Sequence, residues 1–126
     1  MAYYKRDIEE ELIRWKNDSE RQPLLIRGAR QVGKSSVVRN FSSQFKSYVE
    51  VNFEQDSEVK SIFEGNLRPK AICEQLSVLY ETTIIPGETL LFFDEIQNVN
   101  KFELVVNSFR ATHNVSIFIT GSNSKL

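Results

Sequence analysis

The segment Gly28-Ala29-Arg30-Gln31-Val32-Gly33-Lys34-Ser35 constrains this chain more than any other stretch of it. It fits the spacing G-x-x-x-x-G-K-[ST], and its flanks narrow the possibilities further. Before it, Leu24-Leu25-Ile26-Arg27 is a short apolar run of the kind that forms a strand covered on both faces. After it, Val37, Val38, Phe41 and Phe45 recur at helical spacing over 34–45. A strand that enters a glycine loop and leaves as a helix is one unit of an alternating fold. The rest of the chain continues that alternation.

Ile8, Leu12 and Trp15 form one apolar stripe over 4–17, which predicts a leading helix. Tyr48 to Phe53 alternates and reads as a second strand. Gln55 to Phe63 and Pro69 to Tyr80 are helical stretches broken at Gly65-Asn66, with Pro69 suited to a first turn. Thr89 to Phe93 reads as a central strand, 100–112 as a helix with Phe102, Val105, Val106 and Phe109 on one face, and Val115 to Thr120 as a fourth strand. Strands alternating with helices predict an α/β fold with a parallel sheet and right-handed crossovers.

The chemistry of the glycine loop follows from its residue types. Gly28 lets the chain leave the strand sharply, and Gly33 lets backbone N–H groups close on an anion with no Cβ in the way. The helix that starts near Lys34 presents its partly positive N-terminus to the same place. Lys34 reaches β- and γ-phosphates and the Ser35 hydroxyl ligates Mg²⁺. Two further clusters fit around such a loop. Leu90-Leu91-Phe92-Phe93-Asp94-Glu95 is an apolar run ending in two acids. Asp94 at a strand's carboxyl end can hold the water shell of Mg²⁺, and Glu95 can orient and deprotonate an attacking water. Ser116 to Asn123 is another apolar run that ends in small polar residues; Ser122 or Asn123 could meet the γ-phosphate, and a plain strand-end turn accounts for them equally well.

With 16 Lys and Arg against 17 Asp and Glu, the formal charge is 16 − 17 = −1, which excludes a globally basic nucleic-acid footprint though not a local patch. The 126 residues are enough for one domain. Cys73 is the single cysteine, so no internal disulfide can form, and a reducing, cytoplasmic setting is expected. No secretory h-region follows Met1, and no apolar run is long enough to span a membrane.

In this order the three clusters resemble the core of an AAA+ P-loop ATPase. Gly28 to Ser35 looks like its Walker A motif, Leu90 to Glu95 like its Walker B, and Ile119 to Asn123 like the strand end that carries sensor 1. The wording of Gly-Ala-Arg-Gln-Val-Gly-Lys-Ser, Phe-Asp-Glu-Ile-Gln and Ile-Thr-Gly-Ser-Asn-Ser is especially similar to a bacterial and archaeal AAA-domain group commonly followed by a C-terminal domain of unknown function. The resemblance implies a three-layer P-loop NTPase core, a helix over 1–20 followed by the core over 21–126, and a strand order 5-1-4-3-2. It implies ATP and Mg²⁺ as cofactors. Gly28, Ala29, Arg30, Gln31, Val32, Gly33, Lys34, Ser35 and Ser36 would hold the phosphates, and Ser35 with Asp94 the metal. Lys34 and Glu95 would be catalytic, with Asn123 ahead of Ser122 as sensor 1.

The fifth strand, arginine finger and lid of such a core would lie beyond Leu126. The resemblance therefore implies an N-terminal piece of a longer ATPase, partnered by its own C-terminal region, with slow or no turnover alone. A homo-oligomer is possible, nucleic acid is an open question, and no membrane is involved. A nucleotide-gated switch whose turnover is incidental is the alternative function; a P-loop kinase is a third, opposed by the Asp94-Glu95 pair, since a kinase must avoid activating water. Trp15 reads as packing, with an adenine contact near Tyr3 to Ile8 as the other possibility. Cys73 reads as a small hydrophobe and His113 as a helix-end residue. Arg30 could reach a partner subunit or a phosphate, though such a position more often faces solvent; Glu54 is a candidate to join the site, and Gln97 to couple it to a partner.

Overall fold

β3 (Thr89–Asp94) organises the molecule, because its residues Leu90 to Phe93 are buried on both faces. A computed structural model describes residues 5–18, 24–27, 34–111 and 116–121. Within them the elements run α1 (Lys5–Asn17), β1 (Leu24–Arg27), α2 (Lys34–Phe41), β2 (Ser47–Asn52), α3 (Pro69–Tyr80), β3, α4 (Phe102–Arg110) and β4 (Ser116–Gly121). Short 3₁₀ turns occupy Ser42–Gln44, Ser57–Phe63 and Ile96–Asn98.

The four strands form one sheet in the order β1-β4-β3-β2, and every pairing is parallel. The last strand therefore lies between the first and the third, as the resemblance implies. Helices cover both faces. Leu91 and Phe93 pack with Val49, Val51 and Phe53 of the β2 segment against α3 and α4. Leu90 and Phe92 point the other way, onto Leu12 and Trp15 of α1 and Val37, Val38 and Phe41 of α2. Period-two alternation along β3 thus feeds two separate cores. Trp15 is a packing residue, with its ring 6.5 Å from that of Phe45. The alternative of an adenine contact at Tyr3 to Ile8 falls outside the described side chains.

On the α3–α4 face, four phenylalanines meet edge to face. Phe93 lies 5.7 Å from Phe53, 5.6 Å from Phe63 and 5.9 Å from Phe109, and Phe53 lies 5.0 Å from Phe63. These are favourable quadrupole arrangements on top of the area they bury.

Two helical expectations are shortened for a local reason. The helix read over 34–45 ends at Phe41, where Ser42 Oγ donates to the Arg39 carbonyl and Ser43 Oγ to the Asn40 carbonyl at 3.0 Å. Serine hydroxyls there compete with backbone donors for the last-turn carbonyls, and the chain tightens into a 3₁₀ turn. The stretch read as a helix from Gln55 begins at Ser57 as a 3₁₀ turn, since Asn52 Oδ1 accepts from the Glu54 N–H at 2.9 Å and the Gln55 N–H at 3.1 Å. That side chain builds its own turn at the end of β2. The helix read over 100–112 is confined to Phe102–Arg110. Pro69 does open α3.

One cluster ties α2 to β2. Arg39 donates to both Glu50 oxygens, at 2.8 and 2.7 Å, and the Tyr48 hydroxyl donates to Glu50 Oε1 at 2.7 Å. The Arg39 hydrogen bond holds the Glu50 carboxyl below its ordinary value, with burial opposing. A depressed carboxyl stabilises the fold above its unfolded value, and this is lost as pH falls through the folded one. Because Arg39 is 56% exposed, Glu50→Gln is expected to cost only about 1 kcal/mol at pH 7. Thermal unfolding of both proteins across the acid range should show that difference vanishing below the ordinary carboxylate range.

Candidate functional site

The described part of the candidate site is built on the carboxyl ends of the strands. In register, Arg27 of β1 pairs with Gly121 of β4, and Phe93 of β3 pairs with Ile119 of β4. The ends of β1, β4 and β3 thus open on one edge of the sheet, with β1 and β3 two strand spacings apart, about 10 Å. In sequence, β1 leads into the glycine-containing segment 28–33, and α2 starts after it at Lys34. Lys34, Ser35 and Ser36 form the first helical turn, with amides of the kind that receive an anion. Gly28, Ala29, Arg30, Gln31, Val32 and Gly33 lie outside the described residues, as do Ser122, Asn123 and His113.

Asp94 and Glu95 are brought to that same edge, but on different terms. Asp94 ends β3, half-buried, opposite Asn52 of β2, and its carbonyl accepts the Phe53 N–H at 3.0 Å. Alternation puts it on the face of Leu90 and Phe92, toward α2. The Tyr48 phenol on that side is pushed above its ordinary value, first by burial, then by its bond to Glu50, with a contribution from Asp94. Glu95 is 5% exposed and sits at φ 60, ψ 45, in the left-handed region. A residue with a Cβ rarely adopts it.

The turn that follows explains the conformation. The backbone N–H of Asn98 and its Nδ2 both donate to the Glu95 carbonyl, each at 3.2 Å. Ile96 and Val99 are buried in the core beneath, and Gln97 Nε2 donates to Glu95 Oε2 at 3.1 Å. This 3₁₀ turn is absent from the sequence reading, as is the Arg39–Glu50–Tyr48 cluster. The Ile-Gln-Asn run after the acids, with its isolated apolar anchors, is the signal that could have found the first. Gln97 touches Glu95 directly, whereas Glu54 is exposed beyond the end of β2.

Two other features lie elsewhere. Cys73 has its thiol pushed up to about 11 by burial, in keeping with its reading as a small hydrophobe. It lines a largely apolar cavity of about 460 Å³ with Pro69, Ile84, Ile85, Pro86 and Thr89, at the opposite end of β3 from Asp94.

Among the described residues, no group of three or more His, Cys, Asp or Glu is placed to hold a metal unaided. A single carboxylate with a serine hydroxyl, as the sequence reading assigns to Asp94 and Ser35, would be a hard-oxygen donor set. It suits Mg²⁺, which keeps its waters and takes few protein ligands, and does not suit zinc.

A parallel sheet ordered 1-4-3-2 between helical layers, with a strand ending at Arg27 and a helix starting at Lys34 on either side of the G-x-x-x-x-G-K-S sequence, and acids at the end of the third strand, defines the core of a P-loop nucleoside triphosphatase. The chain belongs to the AAA domain family, whose model matches residues 20–126. Among solved structures it is similar to PCH-2 from C. elegans, with a TM-score of 0.59 and 15% identity over 97% of this chain. The chain spans 38% of that protein's length. Comparison with curated proteins by sequence gives no match. The chain is thus an ATPase-type domain of a family that generally binds ATP with Mg²⁺ and often oligomerises. No described helix is long and apolar enough to cross a membrane.

Proposed function

We propose that this chain binds ATP with Mg²⁺ and supplies the residues that hydrolyse its β–γ phosphoanhydride bond, as the 21–126 core of a longer cytoplasmic AAA-type ATPase preceded by a helix over 1–20. The observation that carries this reading is the pair Asp94-Glu95 at the carboxyl end of β3, on the sheet edge from which β1 enters the glycine loop. The backbone of Gly28, Ala29, Arg30, Gln31, Val32, Gly33 and Ser36 cradles the phosphates, and the Lys34 ammonium neutralises charge on the β- and γ-groups. Ser35 and Asp94 would hold Mg²⁺, which would supply electrostatic stabilisation of charge on the phosphates. Glu95 takes a proton from water as its oxygen attacks the γ-phosphorus, and the bond to the bridging oxygen breaks with the electrons leaving on ADP. Asn123, or failing it Ser122, takes the sensor 1 role and hydrogen-bonds the γ-phosphate or the attacking water. The gain is one of positioning and electrostatics, since little covalent work falls to the protein. The partners this reading proposes are the protein's own C-terminal region and, as a possible homo-oligomer, further copies of itself.

The test is an ATP titration of wild type and Lys34→Ala, with and without Mg²⁺, by calorimetry. Removing a charged partner of a polyphosphate is expected to weaken affinity by roughly 10- to 100-fold. Equal affinity in the two proteins would refute the assignment of the loop.

A further inference from the structure

Had β3 continued for one more residue, alternation would have aimed Glu95 toward the side of Phe93, among the phenylalanine rings. The backbone turns left-handed instead, and the bonds from Asn98 to the Glu95 carbonyl hold it there. The residue nevertheless stays 5% exposed. A carboxylate withdrawn from water to that extent needs donors inside the protein. Gln97 supplies one at 3.1 Å, from the same turn.

The chemistry of that donor matters. An amide donor is directional, so it can fix which way the carboxylate faces. Gln97 is itself held, because its neighbours Ile96 and Val99 are anchored in the core and Asn98 is bonded to the start of the turn. We propose that Gln97 is a positioning residue, which holds the Glu95 carboxylate in the orientation from which it receives the proton of the attacking water. The inference rests on the function proposed above and adds to it a residue outside the phosphate loop and the acid pair.

Gln97→Met keeps the length of the side chain and removes its donor. In single-turnover hydrolysis by the full-length protein in excess over ATP, the variant is expected to be about tenfold slower, with an ATP dissociation constant within twofold of wild type by calorimetry. Gln97→Glu, which sets a like charge against Glu95, is expected to be slower by at least as much. A wild-type rate in Gln97→Met overturns the inference, and so does a parallel loss of rate and affinity, which a purely structural residue would give. A readout that needs no folded Gln97 variant is the side-chain amide resonance of Gln97 in ¹⁵N-labelled protein. It should move in Glu95→Gln, where the acceptor loses its charge, and an unmoved resonance also overturns the inference. Wild-type protein that binds no ATP brings down the parent reading and this one with it; ATP binding with an unchanged Gln97→Met rate brings down this one alone.

Discussion

Glu95→Gln is expected to slow ATP hydrolysis by roughly 10²- to 10⁴-fold, the range that a positioned general base supplies. ATP affinity should change little, because the substitution removes a charge and leaves the shape. Burial sharpens the expectation. Glu95 is 5% exposed, so bulk water is poorly placed to replace it as proton acceptor. Its neutral isostere keeps the backbone of the turn, since the bonds from Asn98 go to the carbonyl and not to the side chain. Single-turnover rates and calorimetric affinities on the same samples separate the two effects. A rate within threefold of wild type would remove Glu95 from the chemistry. In the full-length protein the variant also separates turnover from occupancy. Biological output that persists in Glu95→Gln with ATP bound would favour the nucleotide-gated switch, and output that vanishes would make hydrolysis the function.

The second large effect is on stability. Phe93→Ala is expected to cost about 3–5 kcal/mol, or a fall in Tm of roughly 10–20 °C for a domain of this size. Phe93 is fully buried and is the ring shared by three of the edge-to-face contacts, with Phe53, Phe63 and Phe109. Its loss opens a hole between β3 and the helices on that face, where α4 and the 3₁₀ turn at Ser57–Phe63 cannot both close in. Thermal unfolding followed by circular dichroism checks it. A loss below about 1 kcal/mol would mean that the four rings do not pack as described. Phe93 directly precedes Asp94, so the acid that reads as the metal ligand follows directly on a fully buried residue of the core.

These two residues also mark how far the sequence could be read. The apolar run ending in Asp94 and Glu95 betrays a central strand and a polar edge, because burial on both faces and an abrupt change of polarity are both visible in residue types. The strand order was carried by the resemblance and not by periodicity, which says nothing about who pairs with whom. Glu95's left-handed backbone was not legible: nothing about a glutamate announces it, and it follows from Asn98 bonding back across the turn while Ile96 and Val99 find the core. The helix read through Phe45 failed on two serines whose hydroxyls are silent in a hydrophobic pattern. Phe45 still packs on Trp15 and Phe41 from outside α2, so the period was right about burial and wrong about the backbone. Arg39 and Glu50 lie on different elements, and their pairing needed the sheet in place before it could be seen.

The 1-4-3-2 order has a consequence for how the protein is made. Among the described strands, β1 hydrogen-bonds only to β4, the last to leave the ribosome. Until residues 118–121 emerge, Leu24 to Arg27 have no strand to join, while β2 and β3 can already zip together. Until β4 emerges, a nascent chain therefore carries an unpaired apolar ribbon among these strands, an invitation to chaperones and to other nascent copies.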